Sequence, residues 1–142
     1  MQRWMLFEDQ RFSLVFKIPE GTPQGHNVER IDSQQDIAVR VHFVSRNSKE
    51  VYFEVTKYVD LAPMVEYQLH KADLERRFSD LSITDLETSH WKSFPAHVYS
   101  FRWNKSTRSV LLVKRGNCTY RILYDPQSKL NTEILSTVEW ME

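Results

Sequence analysis

Apolar and polar side chains alternate between Trp91 and Tyr124, and the pattern predicts three consecutive antiparallel strands. These strands run from Ala96 to Trp103, from Arg108 to Lys114 and from Cys118 to Tyr124. Because successive side chains of a strand point to opposite faces, Tyr99, Phe101 and Trp103 share one face with His97. The links between the strands are short and polar, which is typical of hairpins. We therefore predict that Tyr99 and Phe101 are buried under a helix.

The first part of the chain contains four more segments with the same period of two residues. They run from Trp4 to Phe7, from Phe12 to Ile18, from Ile37 to Ser45 and from Glu50 to Lys57. Pro19 ends the second segment, since proline has no N–H to donate to a sheet. The segment from Glu20 to Asn27 contains two glycines and a proline, and it is predicted to be a loop.

Two segments have helical rather than strand periodicity. The first runs from Leu61 to Phe78, with Asp60 predicted as its N-cap and Pro63 in its first turn, where the missing N–H costs nothing. Its predicted apolar stripe consists of Leu61, Met64, Val65, Leu69 and Ala72, flanked by Tyr67, Leu74 and Phe78. A final helix is predicted to begin at Asn131 or Thr132. The segment between the first helix and the aromatic strand, Leu81 to Thr88, is predicted to be a loop or a weak strand.

This order of elements predicts an α+β fold. Strands joined by tight turns pair antiparallel, because parallel pairing needs long crossover connections. Helices then cover the apolar faces of the sheet. The 142 residues are close to the usual size of one domain, and no linker divides them, so we predict a single domain over residues 1–142.

Three segments of the second half resemble the PsbP family, named for an extrinsic subunit of the photosynthetic oxygen-evolving complex. They run from Phe94 to Arg102, from Leu111 to Tyr124 and from Ile134 to Val138. Phe12-Ser13-Leu14 followed by Pro19 is similar to the opening strand of that family. The resemblance implies an α/β/α sandwich around an antiparallel sheet flanked by helices. That fold is shared with a Ran-binding nuclear import factor, mycobacterial lipoproteins and bacterial effector chaperones, so the resemblance does not select a function.

Charge is balanced over the whole chain but unevenly distributed. Lysine plus arginine and aspartate plus glutamate each number 19, and the net charge is zero. The segment from Lys92 to Gln127 has seven basic residues and one acidic residue, a net charge of +6. We predict that its outward basic side chains bind an acidic protein partner. These side chains are Arg102, Lys105, Arg108, Lys114 and Arg115.

Candidate catalytic and metal-binding residues do not combine into a known signature. The five histidines, His26, His42, His70, His90 and His97, lack the spacing of a zinc helix, and no cofactor motif is present. Cys118 alternates with apolar residues, which favours packing over nucleophilic catalysis. The main function predicted is therefore a non-enzymatic protein-binding, adaptor or chaperone-like domain. A small thiol-dependent enzyme that uses Cys118 is the alternative from another class.

Two further observations bear on partners and location. Aromatic and basic residues interleave around Trp103, as in proteins that bind single-stranded nucleic acid. The zero net charge argues against that function, and the aromatic side chains share one strand face, as core residues do. No apolar run approaches the ~20 residues of a membrane span. A single cysteine and the absence of a signal-peptide pattern predict a cytoplasmic protein.

Overall fold

The computed structural model of the chain describes residues 3–10, 13–19, 26–32, 37–44 and 50–140. Its strands are β1 (Trp4–Asp9), β2 (Leu14–Pro19), β3 (His26–Asp32), β4 (Ile37–Val44), β5 (Glu50–Val59), β6 (Ser82–Ile83), β7 (Glu87–Trp91), β8 (Phe94–Trp103), β9 (Ser106–Arg115), β10 (Cys118–Tyr124) and β11 (Glu139–Trp140). Its helices are α1 (Pro63–Arg77) and α2 (Lys129–Ser136).

Every strand pair among the described residues is antiparallel, and this confirms the predicted α+β class. In that part of the chain the larger sheet has eight strands, in the order β3-β4-β5-β10-β9-β8-β6, with β7 also paired to β8. The smaller sheet has three described strands, in the order β1-β2-β11. The three predicted strands β8, β9 and β10 lie side by side. In their register Ile122 of β10 pairs with Leu111 of β9 and with Val55 of β5.

The sequence prediction missed or displaced several elements. His26 and Asn27 belong to β3 rather than to the predicted loop. The segment predicted to be a loop or a weak strand, Leu81 to Thr88, contains β6 and the start of β7, which pair with different parts of the long strand β8. Strand propensity there is low, and pairing with β8 decides the structure instead. The predictions for Phe12, residues 20–25 and Ser45 lie outside the described residues.

Both helices begin near the predicted positions but with different caps. Ala62, and not Asp60, is the N-cap of α1, and Pro63 occupies the first helical position. Asp60 has a φ of 59°, and its N–H donates to Asn117 O at 2.8 Å, so it belongs to the turn before the helix. Helix α2 begins at Lys129, two or three residues earlier than the predicted start at Asn131 or Thr132. There Ser128 is the N-cap and accepts a hydrogen bond from Asn131 N at 3.2 Å.

The two faces of the large sheet carry separate cores. One face packs against the small sheet and α2, through side chains that include Phe16, Phe53, Ile122 and Ile134. The other face packs under α1, through a cluster formed by Tyr67, Leu74, Tyr99, Phe101, Val110 and Leu112. The layer opposite α1 thus contains a three-stranded sheet beside α2. As predicted, Tyr99 and Phe101 are buried, with 3% and 4% of their surface exposed.

Candidate functional site

Helix α1 faces the sheet with a different side from the predicted one. The predicted stripe points outward: Met64, Val65 and Leu69 are 52%, 42% and 61% exposed. The buried residues of the helix are Pro63, Glu66, Tyr67, His70 and Leu74. The predicted orientation is therefore wrong. Its physical reason is that the sheet offers polar partners to Glu66 and His70, which offset the cost of burying them.

A group of polar side chains connects α1 to the sheet, and we call it the polar cluster. It consists of Glu54, Glu66, His70, Tyr99 and Arg121, all in the described part of the chain. Arg121 of β10 lies at its centre. Its Nη2 donates to Glu54 Oε1 at 2.7 Å, and its Nη1 donates to Glu66 Oε1 at 3.1 Å. One guanidinium thus contacts two carboxyl groups from different elements.

Tyr99 extends the cluster to the histidine of α1. Its hydroxyl donates to Glu66 Oε2 at 3.1 Å, and its oxygen lies 2.5 Å from His70 Nδ1. With the hydroxyl hydrogen assigned to the bond with Glu66, the tautomer of His70 that fits is the one whose Nδ1–H donates to the Tyr99 oxygen. Nε2 of the neutral imidazole is then an acceptor. A chain of hydrogen bonds therefore runs from His70 through Tyr99, Glu66 and Arg121 to Glu54. It connects both buried polar side chains of α1, Glu66 and His70, to the sheet.

Burial determines the protonation of the cluster. It raises the pKa of Glu66 above its usual range, although Arg121 opposes the shift. It lowers the pKa of His70 to about 3, helped by the positive charges of Arg121 and Arg77. For Arg121 itself, burial would lower the pKa, but Tyr58, Glu54 and Glu66 outweigh burial and raise it. His70 is thus neutral and Arg121 charged at pH 7.

Two adjoining cavities run along one flank of α1, and we call them together the trough. The larger, of about 570 Å³, lies near the C-terminal end of the helix, and the smaller, of about 200 Å³, near its N-terminal end. His70, Asp73 and Arg121 line both cavities, so two members of the polar cluster, His70 and Arg121, lie where the cavities meet. Leu69 of the outward stripe lines the smaller cavity. The trough and the stripe therefore adjoin.

Three stacked rings, Phe78, Trp103 and Phe101, line the larger cavity, and we call them the aromatic ladder. Trp103 lies 5.0 Å from Phe78 and 5.4 Å from Phe101 between ring centroids, with interplanar angles of 25° and 20°. Arg77 lies over the Phe78 ring and Arg108 over the Trp103 ring, at 5.3 Å and 5.5 Å. This end of the trough combines apolar surface with guanidinium groups, an arrangement that suits a ligand both apolar and anionic.

The five predicted partner-binding residues do not form one surface. Arg108 lines the larger cavity on the α1 side of the sheet. Arg102 is exposed on the other face of the neighbouring strand, and Lys105 is exposed in the adjoining turn. Lys114 and Arg115 lie at the opposite end of β9, about 20 Å from Arg108 at 3.3 Å per residue. Only Arg108 of the five lines the trough.

Cys118 lies away from the trough, at the start of β10. It is half-buried and packs against the core on the small-sheet side. Its thiol lies 3.5 Å from Asn117 Oδ1, and an amide oxygen is too weak a base to accept the thiol proton. Among the described residues, no group of three histidine, cysteine, aspartate or glutamate side chains is placed to hold a metal ion. Neither helix in that part of the chain could span a membrane.

Sequence reasoning missed Glu54, Glu66, His70 and Arg121 as residues that act together. It considered Glu54 only as part of a predicted strand, and His70 only as one of five histidines without the spacing of a zinc helix. The available signal was a second stripe on α1, formed by Tyr67, Leu74 and the pair Glu66 and His70 at i, i+4 spacing. A helix with two competing stripes indicates that the sequence pattern alone does not fix its buried face.

Comparison with known proteins adds no relative to this picture. No protein-family model matches the chain, and no curated protein matches it either. The resemblance to the PsbP family therefore stays a prediction.

Proposed function

We propose that the chain is a non-enzymatic protein-binding domain, of the adaptor or chaperone-like kind, that holds a segment of another protein in the trough and against the adjoining stripe. The observation that carries the proposal is the outward stripe of α1. Three large apolar side chains lie exposed together while the same helix buries a carboxyl group and an imidazole. Exposed apolar patches of this kind mark interaction surfaces.

The geometry of the stripe favours a linear segment as partner. At about 100° per residue, Met64, Val65 and Leu69 fall within about 140° of one side of α1. A stable dimer interface uses roughly 20 to 30 residues a side, far more than these three. A short segment that also enters the trough would extend the contact along the helix. A second copy of the chain is the competing occupant, and the oligomeric state in solution tests for it.

The trough has the size and chemistry of a binding site. The larger cavity falls within the range of roughly 300 to 1,000 Å³ that ligand pockets occupy. Its apolar side chains would give affinity, and the charged side chains among them would orient the bound segment. Nδ1 of the neutral His70 is already hydrogen-bonded to Tyr99. The proposal requires binding only and no reaction at the site.

Site-specific crosslinking tests the proposal. A photoreactive phenylalanine analogue at position 69 should crosslink to a distinct protein that the same analogue at position 129 does not capture. Lys129 is the control because its side chain is 91% exposed and lies on α2, outside the trough. The purified partner should then bind Leu69→Asp at least about tenfold more weakly than the parent, a loss of roughly 1.4 kcal/mol.

The result that contradicts the proposal is equally specific. A partner that binds Leu69→Asp and the parent with equal affinity uses another surface. Identical crosslinked products from positions 69 and 129 would show only non-specific capture. A concentration-dependent dimer in analytical ultracentrifugation that Leu69→Asp abolishes would assign the stripe to self-association.

We also propose a PsbP-like architecture for the chain. The proposal is supported by the antiparallel meander of β8, β9 and β10, which coincides with two of the segments that resemble the family. The large sheet has α1 on one face and α2 on the other, as the implied sandwich requires, and the three-stranded sheet beside α2 is an addition to that plan. An experimental structure compared with members of that family would test the architecture.

A further inference from the structure

We propose that the larger cavity of the trough recognises an acidic side chain flanked by apolar residues in the bound segment, with Arg108 as the carboxylate anchor. This inference rests on the proposed protein-binding function and specifies its partner. It concerns the end of the trough that carries the aromatic ladder, not the stripe used to test that function.

The three guanidinium groups that line this cavity differ in how far their own chain engages them. Arg121 is held by Glu54 and Glu66. Arg77 Nε contacts Asp73 Oδ2 at 3.1 Å. Arg108 Nη1 lies 3.7 Å from Asp125 Oδ2, a distance that allows an ion pair but is beyond hydrogen-bond distance.

Arg108 is also held in place. Its Nη1 donates to Thr107 O at 2.9 Å, and its guanidinium lies over the Trp103 ring. Its side chain is 18% exposed, so part of its charge is shielded from water. A guanidinium has five N–H donors in a fixed geometry, and those not used by Thr107 can bind a carboxylate. Preorganisation lowers the entropic cost of that contact.

The carboxylates near the cavity do not cancel this preference. Glu54 is bound by Arg121, and Asp73 contacts both Arg76 and Arg77, at 2.5 Å and 3.1 Å. Asp125 contacts Arg108 with Oδ2, and its Oδ1 accepts a hydrogen bond from Gln127 N at 2.9 Å. This carboxylate is therefore shared between two contacts. The aromatic ladder, with Leu74 and Leu123, offers apolar surface beside Arg108. An apolar residue next to the acidic one would contact the ladder.

Three capped peptides that differ in one residue test the inference. They are acetyl-Phe-Glu-Phe-amide, acetyl-Phe-Gln-Phe-amide and acetyl-Phe-Lys-Phe-amide, titrated into the isotope-labelled chain and followed by NMR. The glutamate peptide should bind about tenfold more tightly than the glutamine peptide, as expected for a charge-assisted hydrogen bond. The lysine peptide should bind most weakly, and added salt should shrink the differences.

Two arginine variants complete the experiment. In Arg108→Gln the preference for glutamate should disappear. In Arg102→Gln it should persist, because Arg102 is exposed on the other face of its strand. If Arg108→Gln does not fold, Arg108→Lys keeps the charge but loses the fork of donors, and the preference should shrink.

The outcomes separate this inference from the proposed function. Equal binding of the three peptides, or a glutamate preference that survives in Arg108→Gln, overturns the inference and leaves a trough that binds without charge selection. No chemical-shift change at millimolar peptide also overturns it. The proposed function is judged independently, by the crosslinking at position 69.

Discussion

At the scale of single residues, Arg121 has the largest electrostatic role, because one guanidinium contacts two buried carboxyl groups. Replacing it with methionine removes the positive charge that Arg121 places beside Glu66 and Glu54. We expect Arg121→Met to lose about 3–5 kcal/mol of unfolding free energy, the usual cost of breaking a buried ion pair from one side. Denaturant unfolding at neutral pH measures the loss.

A second substitution identifies where that cost arises. Adding Glu66→Gln to Arg121→Met removes the buried carboxyl group of Glu66, which has lost the guanidinium beside it, so the double variant should be more stable than Arg121→Met alone. Lys129→Met, on an exposed side chain, is the control and should change stability by less than about 0.5 kcal/mol. If Arg121→Met also lost less than about 0.5 kcal/mol of unfolding free energy, the two carboxyl groups would be solvated in the folded chain.

His70 should make stability depend on pH. Its pKa falls from 6.5 to about 3 in the folded chain, chiefly through burial. Between these values the unfolded chain binds a proton that the folded chain does not. Stability from neutral His70 is therefore present above pH 6.5 and lost as pH falls toward 3, by up to about 1.4 kcal/mol per pH unit.

The variant His70→Gln isolates this effect. Glu66 acts in the opposite sense: burial raises its pKa, so the stability it contributes is present below the usual value of 4.5 and is lost as pH rises through the pKa of the folded chain. Glu66 remains in both proteins, so its effect largely cancels when they are compared. The stability advantage of the parent over His70→Gln should be about 2 kcal/mol smaller near pH 5 than near pH 7.5. An advantage independent of pH would show that His70 titrates normally.

At the scale of elements, the orientation of α1 is the feature on which the binding proposal depends. Leu69 and Leu74 lie on the same helix, with 61% and 1% of their surface exposed. The change from leucine to alanine alters helix propensity equally at both positions, so the difference reports burial. We expect Leu74→Ala to cost about 2–5 kcal/mol and Leu69→Ala less than about 1 kcal/mol.

Thermal or denaturant unfolding of these two variants provides the measurement. If Leu69→Ala lost as much stability as Leu74→Ala, or more, the predicted stripe would lie against the sheet. The binding proposal would then lose its basis.

At the scale of the whole molecule, β10 lies in the interior of the large sheet and pairs along its full length with β5 and β9. Its amide hydrogens should exchange only through global unfolding and so be among the slowest in the chain. Strand β11 pairs with β2 through only two residues, Glu139 and Trp140. Amides of β11 should therefore exchange faster, and hydrogen-exchange mass spectrometry or NMR checks the order. Faster exchange in β10 than in β11 would contradict this topology.

The sequence by itself determined the strands of the meander and the presence of both helices. The strand from Cys118 to Tyr124 agrees with its prediction at both ends, and the predicted bounds of α1 differ by two residues at its start and one at its end. These features follow from local causes: side-chain alternation, tight turns and a proline at a helix start. Each depends on neighbours in the sequence.

Only the tertiary structure decided which face of α1 is buried and, with it, the candidate site. Glu66 and His70 are buried because Arg121 and Tyr99 supply hydrogen bonds from strands far along the chain, and Arg121 in turn reaches Glu54 across 67 residues. With Glu66 and His70 turned toward these partners, Met64 and Leu69 lie at the surface and the trough lies beside the helix. The free energy of a buried polar side chain depends on its partners, and a single helical pattern does not contain them.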